Sequence, residues 1–223
     1  MAYEKINQRR EELHQETGKI FALQQCVQDA QNCEDYLQEH THFHIFHRRG
    51  VDAIIRSFQR IPNEYADWAF DLTSRNMKQT LSKTWGWSDA GKHQELFEED
   101  ARFLIAVCND KPIGFVHFRF EQQNGEFVLF IYDIQIEPDF QGRGLGMFLA
   151  DACWFIALKK KASCLLTLVF KANEDGMGFF KSIGYLPHAM SPEQIYPDKE
   201  SQYQHMILYK SIKKWRPAES SSS

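Results

Sequence analysis

Apolar residues recur at helical spacing through residues 3–39, at Ile6, Leu13, Ile20 and Val27 and then at Ala30 and Leu37. The pattern predicts an amphipathic helix, broken near Gly18, because an interior glycine costs about 1 kcal/mol against alanine. Spacing by sevens would also suit a coiled-coil seam. Arg10 and Glu34 interrupt that seam, so a helix laid on its own domain is the simpler reading. In "HTHFHIFHRR" the residues His40, His42 and His44 alternate, and on a strand they would share one face as metal ligands do. No nearby carboxylate or cysteine completes a set, and no metal is assigned.

Beyond this region the periods change from element to element. "VDAIIRSFQR" (51–60) reads as a strand, and residues 66–83 as a helix with Trp68, Phe70, Leu72 and Met77 among its apolar positions. A "WGW" turn follows, then a short helix capped at Ser88 or Asp89. Three apolar runs come next: "ARFLIAVCN", "IGFVHFRFEQ" and "EFVLFIYDIQIEP". Their joints carry Asn109-Asp110-Lys111-Pro112 and Gln123-Asn124-Gly125, which is hairpin chemistry. A helix over 144–161, a strand over 164–170, a helix over 175–183 stopped by Gly184 and a strand over 203–211 complete the pattern. This predicts an α/β (α+β) domain over 43–212: a mixed, mostly antiparallel sheet flanked by helices, with one crossover helix. Residues 1–42 form a helical extension, and 213–223, with "RPAESSSS", a disordered tail.

Composition narrows the function classes. The chain has 223 residues, 43% hydrophobic, enough for one good core. A net charge of −4 argues against generic nucleic-acid binding and suits a basic partner as well as it suits a solvated surface. Five cysteines without a C-x-x-C pair read as reduced, mostly buried thiols. No apolar run has the length of a membrane span, the charged N-terminus is no signal peptide, and Met1-Ala2 lacks the glycine of myristoylation.

The candidate chemistry lies in "IQIEPDFQGRGLGMFLADA". Gly142, Gly144 and Gly146 stand between a strand and a helix N-terminus, where unpaired N–H groups and the helix dipole make an anion site. A Walker A loop would need Gly-Lys-Ser/Thr, which is absent, and a dinucleotide fingerprint would need G-x-G-x-x-G on the first strand of a βαβ unit. The pattern Gln141-x-x-Gly144-x-Gly146 resembles instead the pyrophosphate loop of the Gcn5-related N-acetyltransferases. A second signature of that superfamily resembles "FKANEDGMGFFKSIGY", with Asn173 after a strand and an aromatic helix ending at Gly184-Tyr185. Within it, the blocks "DWAFDLTSRNM", "WGW", "GFVHFRFE", "VLFIYDIQIE", "GLGMFL" and "VFKAN" resemble the N-alpha-acetyltransferase 40, or NatD, family over most of 43–211.

That resemblance implies the Gcn5-related fold, acetyl-coenzyme A as donor, and the terminal serine of Ser-Gly-Arg-Gly histone tails as acceptor. It further implies a monomer of cytoplasm and nucleus that meets free histones or nascent chains at the ribosome, with no direct nucleic-acid or membrane partner. The implied cofactor residues are the backbone of Ile134, Gln135 and Ile136, then Gln141, Gly142, Arg143 and Gly144. Leu145, Gly146, Met147 and Asn173 complete them. The implied substrate residues are Trp85, Glu121, Gln122 and Gln123, with Tyr132, Thr167, Ser191 and Tyr203. Glu121 would meet the substrate arginine, and a carboxylate suits a guanidinium bidentately. The sequence departs from the family at Gln123, where a second acid stands; at Leu81, where a tyrosine stands; and in lacking a basic N-terminal run.

The reaction needs a neutral amine. An α-amine has a reference pKa of about 7.7–8.0, so roughly a quarter is neutral slightly above pH 7, against about one part in a thousand for lysine. Asp133, in an apolar strand, is the candidate base, since burial would raise its pKa. Its plain alternative is an aspartate bonded to local backbone. The family has glutamate here, one methylene longer. Tyr132 is the second catalytic candidate, with simple packing as its alternative. Adjacent strand residues face opposite ways, so both can serve one site only across a bulge. Phe179-Phe180 stands where the superfamily usually has an acid tyrosine, as it does in the resembled family, which leaves the thiolate's acid unassigned. Trp85 is either a lid over the substrate or an anchor for its own loop. Two other functions compete: a lysine or polyamine acetyltransferase with the same cofactor loop, and a non-catalytic coenzyme-A-sensing module.

Overall fold

A computed structural model describes residues 2–212, with side chains from residue 7 onward. The tail read as disordered lies outside the described residues, and so does the side chain of Ile6. Among the described residues eight strands form one sheet in the order β1-β2-β3-β4-β5-β6-β8-β7. They are β1 (Ile45–Arg48), β2 (Val51–Phe58), β3 (Arg102–Cys108), β4 (Lys111–Gln123), β5 (Glu126–Ile136), β6 (Cys164–Phe170), β7 (Leu186–Pro187) and β8 (His205–Ser211). Every pairing is antiparallel except β5 with β6. The helix between those two strands supplies the crossover that a parallel pair requires.

The described residues form six α-helices: α1 (Ala2–Gln31), α2 (Asn63–Ser82), α3 (Asp89–Phe97), α4 (Leu145–Lys159), α5 (Glu174–Ser182) and the short α6 (Pro192–Ile195). One sheet face carries the larger core. Leu149, Cys153 and Ile156 of α4, Phe180 of α5 and Ala30 of α1 meet Phe118, Phe120, Leu129 and Ile131 there. The opposite face packs Tyr65, Ala69 and Leu72 of α2 and Leu96 of α3 against Phe103, Ile105 and Phe115.

Three expectations are corrected. The first helix runs unbroken through Gly18, and among its described side chains those that pack on the domain lie in its C-terminal part, with Leu23, Val27 and Ala30. Residues 7–22 are exposed, Leu13, Ile20 and Phe21 among them. The first three histidines of the run are not on a strand: Thr41–Phe43 form a 3₁₀ turn and β1 begins only at Ile45. His40, His42 and His44 therefore do not share a pleated face. Of the five cysteines only Cys153 and Cys164 are buried, and Cys26 is exposed.

Two features open a cleft in this sheet. The β5–β6 ladder stops at Ile131–Thr167 while β5 runs on to Ile136, so the strands part where the glycine-rich loop begins. In addition, His117 of β4 pairs with Asp133 while its neighbour Phe118 pairs with Ile131. Tyr132 is the extra residue of a β-bulge. Before the bulge, Phe127, Leu129 and Ile131 face the α4 core; after it, Ile134 and Ile136 do. The register slip therefore turns Tyr132 and Asp133 to the same side.

Candidate active site

A cleft of about 1310 Å³ lies between the parted strands, the glycine-rich loop, the start of α5, and the α2–α3 connection. Its cofactor end is built by the turn before α4. Gly142 and Gly144 have φ of 68° and 93°, a left-handed backbone that favours glycine, and Gly144 caps α4. The first intrahelical bond runs from the Phe148 N–H to the Gly144 carbonyl, 3.1 Å. The N–H groups of Leu145, Gly146 and Met147 therefore have no partner inside the helix. All three residues line the cleft. A Cβ on Gly144 would come within 3.2 Å of Arg48 Cδ, and one on Gly146 within 3.3 Å of the Phe179 ring.

Other loop residues fix this shape. Gln141 Nε2 donates to the Ile136 carbonyl (3.0 Å), tying the loop to the end of β5. Arg49 Nη1 donates to the Gly142 carbonyl (2.6 Å). A side-chain-free concavity lined by free amides, beside Arg48, Arg49 and Arg75, fits a diphosphate. Asn173 caps α5 by accepting from the Gly176 N–H (3.0 Å) and lines the same wall. Ile134, Gln135 and Ile136 line the cleft beyond the end of the β6 ladder.

At the centre sits Asp133, buried and not in the purely apolar surroundings its strand implied. Gln135 Nε2 donates to Oδ1 (2.9 Å), and Lys92 Nζ lies 3.4 Å from Oδ2. Asn76 Nδ2 in turn donates to Gln135 Oε1 (3.0 Å). Lys92 also reaches Glu95 Oε1 at 2.5 Å, both residues standing one turn apart on α3. Burial alone would depress the Lys92 ammonium, but Asp133 and Glu95 outweigh it and its pKa is raised. Burial and the Asp133 charge push the Glu95 carboxyl up, against the pull of Lys92.

His117 completes the group, fully buried, its Nδ1 4.0 Å from Asp133 Oδ2. Burial, then Arg119 and Lys92, hold its pKa well below the usual value, so the ring is neutral. Arg119 Nε faces His117 Nε2 at 3.3 Å and can only donate, which leaves the ring proton on Nδ1, toward Asp133. Glu95, His117 and Asp133 bring three donor atoms within 4.8 Å, as metal ligands would. Lys92 already supplies the cation at that point, so the trio does not fit a metal as it stands.

The far end of the cleft is polar. The Tyr132 hydroxyl donates to Glu121 Oε1 (2.6 Å), and Gln123 Nε2 donates to Glu121 Oε2 (2.7 Å). Burial and then the Glu121 hydrogen bond raise the Tyr132 pKa, so the phenol stays protonated. The Arg119 guanidinium lies 4.2 Å from the Tyr132 ring centre, and Nη2 donates to the Glu95 carbonyl (2.7 Å), tying α3 to the bulge. Trp85, 61% exposed, meets Phe170 and His205 edge-on, each at 4.9 Å between ring centres. Thr167 and Leu81 line the same end.

Four expected residues stand elsewhere. Gln122 alternates with Glu121 and Gln123, which line the cleft while it does not. Arg143 does not line it either; its guanidinium lies 5.9 Å from the Phe140 ring centre. Ser191 is buried, and its hydroxyl accepts the Ile207 N–H (2.9 Å), a structural role. Tyr203 stacks on Tyr196 outside the cleft. Conversely, Lys92, Glu95 and His117 were not foreseen. The i,i+3 Lys–Glu spacing was visible, but it reads as an ordinary exposed helix pair.

Comparison with known proteins agrees with this architecture. The PaiA N-acetyltransferase of Thermoplasma acidophilum, solved with coenzyme A, is 16% identical over 70% of this chain and 98% of its own, with a TM-score of 0.52. A ribosomal-protein alanine N-acetyltransferase of Escherichia coli is 16% identical over 77% and 99%, TM-score 0.51. Ard1 of Thermoplasma volcanium is 15% identical over 71% and 97%, TM-score 0.51. At these identities the likeness is one of fold. The model of the acetyltransferase (GNAT) family matches residues 65–185, which span both arms of the cleft. The chain belongs to the GNAT acetyltransferase family, with acetyl-coenzyme A as its acetyl donor.

Proposed function

We propose that the acceptor is the N-terminal amine of a protein, and specifically the terminal serine of Ser-Gly-Arg-Gly histone tails. One observation carries the reading: the β5 bulge turns Tyr132 and Asp133 into one cleft, between the glycine-rich loop and the acidic pocket at Glu121. Acetyl-coenzyme A, when bound, supplies a thioester carbonyl open to a neutral amine. The loop amides at Leu145, Gly146 and Met147 hold the diphosphate, and the open edge of β5 at Ile134–Ile136 orients the arm that carries the thioester. Asp133 stands where a substrate ammonium gives up its proton. Tyr132 and Glu121, joined at 2.6 Å, line the pocket for the following residues, and Glu121 has lone pairs left for an arginine. Trp85 and Thr167 close the outer wall.

The α-amine needs little basicity from the site, which suits an aspartate already held by Lys92. The chain works as a monomer in cytoplasm and nucleus, on histone tails met free or at the ribosome. Ser-Gly-Arg-Gly peptides with free and with pre-blocked termini test the proposal. Rapid turnover of the free peptide alone is expected; equal rates for the two contradict it and favour a lysine or polyamine acceptor.

A further inference from the structure

Asp133 has both oxygens engaged, Oδ1 by Gln135 and Oδ2 by Lys92, and His117 Nδ1 faces Oδ2 from 4.0 Å. Both Asp133 oxygens are therefore already occupied by donors when an ammonium arrives from the cleft. Glu95 stands across the Lys92 ammonium, lines the cleft, and has one oxygen within 4.8 Å of an Asp133 oxygen. Two carboxylates at this separation repel when both are ionised, and a single ammonium cannot cancel both charges. A proton arriving from the cleft relieves that excess.

We propose that Glu95 and Asp133, bridged by Lys92, act as one two-carboxylate acceptor for the proton of the incoming ammonium. This rests on an amine being the acetyl acceptor, whichever amine it is. In the step, an N–H bond breaks and leaves its electron pair on nitrogen. An O–H bond forms on one carboxylate, and no further reactant is needed. The pair with Lys92 passes from one net negative charge to neutrality. The groups facing the pair are Lys92 from α3 and His117 and Arg119 from β4, with Tyr132 of β5 stacked on His117; Glu98 and Asp100 hold Arg119 in turn.

Turnover of the full chain, with acetyl-coenzyme A and a free-amine peptide across pH, tests the pair. Glu95→Gln and Asp133→Asn should each lower kcat by about 10²–10⁴-fold near neutrality. The double variant should be little slower than either, because the two act as a unit. Lys92→Met leaves both carboxylates in place. With the cation gone they hold protons more tightly, so the acidic limb of kcat/KM should move to higher pH. Undiminished kcat in Glu95→Gln, or losses that multiply in the double variant, overturns the proposal. So does a Glu95→Gln defect confined to KM, or an unmoved limb in Lys92→Met. Acetyl found on a lysine side chain would instead remove the terminal-amine reading, and the same variants would still judge the pair on that amine.

Discussion

Tyr132 and Asp133 are sequence neighbours, and a regular strand would send one of them into the α4 core. The extra residue opposite His117 and Phe118 prevents that, and it gives each side chain a separate task. Asp133→Asn keeps the shape and removes the charge, so kcat should fall by about 10²–10⁴-fold with little change in peptide affinity. The defect should narrow as pH rises and the terminal amine is already neutral; a pH–rate series reads this directly. Glu121→Gln should behave otherwise. It removes a charge-assisted contact worth about 1.5–3 kcal/mol, seen mainly as peptide KM, and the loss should largely vanish when the peptide arginine becomes alanine. Asp133 stood out as a carboxylate in an apolar strand, and Tyr132 only through the family resemblance. Glu95 did not, since burial of a Lys–Glu helix pair depends on where α3 docks, which no local pattern records. The resemblance placed Ser191 and Tyr203 at the substrate, but the Ser191 hydroxyl satisfies the Ile207 N–H and the Tyr203 ring stacks on Tyr196.

Elements long enough to repeat their period were read closely. The strand over 164–170 matches β6, and the predicted α4 and α5 differ from the observed ones by a residue or two. Ser88 caps α3 as expected, accepting the Gly91 N–H at 3.1 Å. The four-residue β1 was missed because it lies in a histidine-rich run with little alternation. The expected break at Gly18 failed because one glycine costs too little to stop a helix of this length. Gly144 tests the turn before α4. Gly144→Val would put a β-branched residue at φ 93° with Cβ against Arg48, straining the loop and filling the concavity. The KM for acetyl-coenzyme A should rise by an order of magnitude or more, roughly, with peptide KM little changed. An unaltered cofactor KM in the folded variant would mean the diphosphate lies elsewhere.

For the whole molecule, the same buried polar group links catalysis to stability. His117 is held neutral, its pKa below the unfolded value of about 6.5. The unfolded chain therefore takes up this proton first. Stability is full above about pH 6.5 and falls as pH drops below it, by at most about 1.4 kcal/mol per pH unit for one group. His205 and His40, also lowered by burial, act in the same direction. His117→Phe should flatten the fall in Tm between pH 6.5 and 5 without abolishing it, and an unchanged slope would remove His117 from the balance. The central claim, however, is about which nitrogen is acetylated. The most direct measurement offers a Ser-Gly-Arg-Gly peptide extended by a lysine and locates the added acetyl by fragmentation mass spectrometry. The account predicts acetyl on the terminal serine nitrogen and none on the lysine. Acetyl on the lysine side chain would contradict it.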